Sequence, residues 1–99
     1  MRITINEGYE VVEFSGEFQV IDVSRITNEN ASFDCTATLN ETGLALWNLL
    51  EQGKSFDELV AFLSERDDLE EEEAWQDTTE FLAKMRNAGA IELDRNYIE

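Results

Sequence analysis

Leu39-Asn40-Glu41-Thr42-Gly43-Leu44-Ala45-Leu46-Trp47-Asn48-Leu49-Leu50-Glu51-Gln52-Gly53 reads as a strand end, a helix cap, an apolar helix and a glycine stop. The Asn40 side chain suits an N-cap, since its oxygen can accept from the free amides of the first turn, and Gly53 suits the left-handed residue just past a helix. The spacing predicts a helix over Glu41 to Gln52. Gly43, Leu46, Trp47 and Leu50 share its inner face, with Gly43 leaving room for a neighbouring backbone.

Downstream, Ser55 and Glu58 form an S-x-x-E capping box at the start of a second helix that carries Leu59, Val60, Phe62 and Leu63 inward and ends near Arg66. A third helix is expected to start in the acid run Glu70 to Glu73 and to stop at Gly89, with Lys84 and Arg86 in its last turns, matching the helix dipole. Ala90 to Leu93 reads as a short strand. Upstream, Tyr9 to Phe14 and Phe18 to Val23 are β-rich, and Ser15-Gly16-Glu17 between them reads as a three-residue hairpin loop. That loop length would put Val12, Phe14, Phe18 and Val20 on the core face. Ser24 to Asn30 is a loop by composition, and Ala31 to Leu39 is read as a third strand. The order implies one α+β domain over residues 1–99, ordered from about 9 to 93. Its architecture is winged-helix-like, a three-stranded antiparallel sheet followed by a three-helix bundle.

Composition removes several function classes. Twenty-three acids against seven bases give a net charge of −16, which repels phosphate backbones and anionic lipid heads, so neither nucleic acid nor a membrane is expected as partner. No apolar run approaches the roughly 20 residues of a membrane span, and the single cysteine, Cys35, cannot form an internal disulfide. A cytoplasmic protein is expected. Histidine is absent, which removes the commonest general base and metal ligand. Cys35 sits in a strand, with neither a base nor a helix N-terminus to lower its pKa, and reads as a structural thiol. The acids at Asp67 to Glu73 lack the spacing of a calcium loop, and no glycine-rich phosphate loop occurs. No catalytic residue, metal or cofactor is expected.

Leu39-Asn40-Glu41-Thr42-Gly43 with Leu46-Trp47 and Gly53, then Ser55-Phe56-Asp57-Glu58-Leu59, Glu72-Glu73-Ala74, Asp77 with Phe81-Leu82, and Ala88-Gly89-Ala90-Ile91 follow one another in an order that resembles the PqqD-like proteins, also called RiPP recognition elements. The resemblance covers roughly residues 9 to 93. It implies a non-catalytic peptide chaperone of natural-product biosynthesis. Such a protein binds the leader of a ribosomally made precursor and presents it to a modifying enzyme, frequently a radical SAM protein. The leader adds as a strand beside the third strand and lies against the third helix. By position this implicates Phe33, Asp34, Cys35, Thr36, Ala37 and Thr38 on the strand and Trp75, Asp77, Thr78, Phe81, Leu82 and Met85 on the helix.

The residues support such a site independently in part. An edge strand without Pro or Lys accepts a further strand, and a second copy of the chain could pair there too. The apolar arc of the third helix, Ala74, Thr78, Phe81, Met85 and Ala88, widens to Leu82 and Trp75, beyond what a core needs, and an exposed Trp beside a groove is a typical peptide anchor. The chain departs from the family in lacking a Tyr between the second and third helices and in having Glu70 where a capping Asp is usual. Asp68 with Glu71 is then the candidate replacement capping box. The stretch Ile21 to Asn30 is also long and polar for the family.

Two other readings compete. A winged-helix DNA-binding regulator needs a basic recognition helix, whereas residues 65–80 hold nine acids and one Arg. A docking or regulatory domain whose acidic face binds a basic protein would instead show steep salt dependence and no preference for an extended peptide.

Overall fold

Ser15 and Gly16 adopt positive φ angles of 54° and 81°, as the two central residues of a type I′ hairpin turn must. They join β2 (Tyr9–Phe14) to β3 (Glu17–Asp22), with Phe14 paired to Glu17 and Val11 to Val20. The loop is therefore one residue shorter than expected, and that single residue moves every β2 side chain to the other face. Tyr9 and Val11, with Phe18 and Val20 opposite, face the core, while Phe14 is 64% exposed and Val12 shares its outer face. The expectation that Val12 and Phe14 are core residues is overturned.

The computed structural model describes residues 2–23 and 35–94. Within them β3 also pairs antiparallel with β4 (Cys35–Leu39), giving a three-stranded sheet in the order β2-β3-β4 with β4 at an edge. A register shift pairs Val20 with Ala37 but Ile21 with Cys35, so Thr36 is an extra residue in β4. A second, two-stranded sheet pairs β1 (Arg2–Ile5) with β5 (Ile91–Asp94). No strand was expected over residues 2–5, because four residues of Arg-Ile-Thr-Ile carry too little pattern to identify one. Its partner lies at the far end of the described chain, and Ile3 and Ile5 pack against the core, where β1 also meets α1.

Three helices follow β4 as expected: α1 (Glu41–Glu51), α2 (Phe56–Arg66) and α3 (Glu71–Asn87). Asn40 Oδ1 accepts from the Gly43 amide at 2.7 Å. Gly43, Leu46, Trp47 and Leu50 are the buried residues of α1. A Cβ at Gly43 would lie 3.2 Å from Leu39 Cδ2, so what comes close here is the Leu39 side chain and not a neighbouring backbone. Both α1 and α3 end in Schellman motifs at left-handed glycines. Lys54 N donates to Leu49 O and Gly53 N to Leu50 O, and Ala90 N donates to Met85 O and Gly89 N to Arg86 O.

The capping box of α2 is complete: Glu58 N donates to Ser55 Oγ and Ser55 N donates to Glu58 Oε1. The bond from the Ser55 amide, then that with its hydroxyl, and the nearby Lys54 ammonium hold the Glu58 carboxyl below its ordinary value. Stabilisation from this carboxylate is thus present above the ordinary glutamate range and is lost as pH falls through the lowered value. Ser55→Ala should cost about 1 kcal/mol in urea denaturation at neutral pH.

Asp68 does not cap α3. It adopts φ 52° and ends α2, with Leu69 N donating back to Ser64 O in the manner of a Schellman closure, and Glu70 precedes α3 without a side-chain cap. The core lies between the inner face of the β2-β3-β4 sheet and the three helices, with Leu46, Trp47, Leu59, Leu63 and Met85 at most 1% exposed. No helix among the described residues is long and apolar enough to cross a membrane.

Candidate functional site

Along α3, Asp77, Phe81 and Lys84 follow at intervals of four and three residues and so fall on one stripe. That stripe faces the C-terminal half of β4 and the start of α1, and the three elements enclose an open groove of about 890 Å³. Its apolar floor comes from Phe81, Leu46, Leu39 and Phe18, with the hairpin turn at Gly16 and Glu17 closing one side. Glu17, Glu41, Asp67, Asp77 and Glu80 line it, against Lys84 as the one cation among the described lining residues. The groove is therefore an electronegative trough over an apolar floor. Lys84 bridges it, donating from Nζ to the Thr38 carbonyl at 2.7 Å, so α3 and β4 are linked by one exposed bond.

The residues singled out from sequence separate into four groups. Thr38, Asp77 and Phe81 meet in the groove. Cys35 and Thr36 belong to β4, and Ala37, 8% exposed, turns inward from it, while Phe33 and Asp34 lie outside the described residues. Thr78, Leu82 and Met85 are core residues, at 0, 2 and 0% exposure, and do not line the groove. Thr78 spends its hydroxyl on the Ala74 carbonyl at 2.8 Å. Trp75 is 54% exposed but lies on another face, its ring in a T-shaped contact with Phe56 at 5.9 Å between centroids. Its expected place beside the groove is thus corrected. The arc of α3 is wide because the helix is covered by α2 and also packs against β5, so that Leu82 and Met85 are buried without a ligand.

Sequence reasoning missed Lys84, Glu80, Phe18 and Asn40. Lys84 was legible, since it completes the Asp77-Phe81 stripe. Phe18 was not, because its approach depends on how the hairpin packs against the helices.

The chain superimposes on the structure of TbiB1 in complex with the TbiA(beta) leader peptide with a TM-score of 0.69, covering 97% of this chain and 99% of that one at 18% identity. That likeness concerns the fold, an α+β arrangement with a three-stranded antiparallel sheet and three helices. No curated protein matches the sequence significantly. Residues 36–91, from the bulge in β4 through α3 to the first residue of β5, match the family model described as coenzyme PQQ synthesis protein D. The matched span contains α1 with its caps, α2, α3 and most of the groove's lining, and this chain belongs to the PqqD family.

Proposed function

We propose that this protein is a non-catalytic chaperone that binds the leader of a ribosomally synthesised precursor by strand addition to β4, against the Asp77-Phe81-Lys84 stripe of α3, and presents it to a modifying enzyme such as a radical SAM protein. The observation that carries this reading is the position of β4: it is the sheet's edge strand, and the groove opens between it and α3. Membership of the PqqD family supports it, as does the shared fold with TbiB1, which binds a leader peptide. Residues 1–99 act as one leader-binding unit in the cytoplasm.

Each backbone hydrogen bond gained along β4 contributes about 0.5–1.5 kcal/mol net. A micromolar complex needs about 8 kcal/mol, so apolar leader residues must also seat on Phe81, Leu46 and Phe18. To add a strand at Thr38, the leader displaces the Lys84 ammonium from the carbonyl. The freed cation then has Glu80 four residues away on its own helix. A trough with five acids favours a neutral or basic leader.

A ¹⁵N amide titration with the leader of a precursor encoded beside this protein tests the reading. Shifts are expected at residues 36–39 and at Asp77, Glu80, Phe81 and Lys84, with affinity for a basic leader falling between about 50 and 500 mM salt. Absence of shifts, or shifts confined to the acidic helix starts, would favour the acidic docking domain instead. The five acids of the groove keep that second reading in contention.

A further inference from the structure

Trp75 and Lys84 are nine residues apart on α3, which places them about 180° apart around the helix axis. The groove thus occupies one side of α3 and Trp75 the other. On the Trp75 side a concavity of about 400 Å³ opens between α2 and α3, floored by Val60 and Ala61. Asp57, Glu65 and Glu71 surround it, and none of the three forms an ion pair among the described residues.

Two features of this face are unexplained by stability. Asp57 and Glu71 lie in first turns, where negative charge complements the helix dipole, but Glu65 lies in the last turn of α2, where the dipole opposes it. Trp75 is 54% exposed although its ring already makes a T-shaped contact with Phe56. A single T-shaped contact occupies at most one face of the indole, and an aromatic face ringed by carboxylates suits a planar guanidinium. Such a cation can stack on the ring while its N–H groups reach the acids. Lysine, a point charge, gains less from the stack.

We propose that this face is a second docking site, which receives an arginine side chain presented by a protein partner while the groove remains free for another ligand. The net charge of −16 draws a basic partner towards the chain, and the Trp75 concavity supplies the local specificity. This inference does not depend on the leader-binding reading, because the two sites share no residue.

The test uses acetyl-Arg-Gly-Arg-amide, with its citrulline and lysine counterparts as controls, followed by ¹⁵N NMR of the full chain. Saturable shifts are expected at the Trp75 indole N–H and at residues 57–71, with Thr38, Phe81 and Lys84 unmoved. Replacing arginine by citrulline, or the protein's Trp75→Leu, should weaken binding about tenfold, and lysine should fall between. Trp47 is 1% exposed, so acrylamide quenching reports Trp75 and gives an independent reading of its occlusion. Glu65→Gln, an exposed change with no folding penalty expected, should weaken binding with the indole intact. The proposal is overturned if no shifts occur, if shifts spread evenly over acids outside this face, or if Trp75→Leu binds as well as the parent. Shifts in the groove alone would transfer the arginine site there, and so overturn this proposal while leaving the groove reading standing.

Discussion

Trp47→Ala should lower the free energy of unfolding by about 3–5 kcal/mol, and denaturant titration followed by far-UV circular dichroism measures the loss. Trp47 is 1% exposed and belongs to the cluster that joins Leu46 and Leu50 of α1 to Leu59 and Leu63 of α2. Little of the cavity can collapse, because α1 is held at both ends, by Asn40 at its start and by the Gly53 closure at its finish. For a domain whose total stability is about 5–15 kcal/mol, this one substitution consumes a large part of the margin. A loss below about 1 kcal/mol would mean that the tryptophan does not anchor the helices to one another.

Phe81→Ala should reduce both stability, by about 3 kcal/mol, and leader affinity, because this ring belongs to two structures at once. It is 9% exposed, so most of it belongs to the core, and the remaining edge forms the floor of the groove. Phe81→Leu separates the two roles. It keeps most of the buried volume, so the fold should persist while the leader, measured by isothermal titration at a temperature where the variant is fully folded, binds about tenfold more weakly. If Phe81→Leu bound the leader normally, the groove floor would not contact it, and the location of the peptide between β4 and α3 would be refuted.

Local chemistry was legible in the residues, and nonlocal geometry was not. Asn40, Ser55, Gly53 and Gly89 each act within one helical turn, so the starts of α1 and α2 and the ends of α1 and α3 could be read directly. The start of α3 in the acid run was read correctly, but its cap was not: Asp68 had two eligible roles, and ending α2 took precedence over capping α3. The hairpin shows how little information separates right from wrong: Glu17 belongs to the strand and not the turn, and the core face of β2 changes entirely. The β1-β5 pair could not be found by any local rule, since Arg2 is paired with Asp94. At the groove, Asp77 and Phe81 were recoverable from α3 alone. The separation of Trp75 from them needed the actual disposition of α2, because the width of an apolar arc does not say which flank a neighbouring helix covers.

The extra residue at Thr36 sets a limit on any peptide laid along β4. On the Thr38 side of it, successive side chains of an added strand alternate between the sheet's two faces in one phase. Beyond Thr36 the phase slips by one position, as it does between Val20 and Ile21. A ligand with a simple two-residue rhythm can therefore keep step with only part of the strand. Either it departs from β4 at that point, or it carries an irregularity of its own, a glycine or a bulge, to remain in phase. A peptide added to β4 would thus have its residues counted by a discontinuity in the strand's backbone, without a side chain to do the reading.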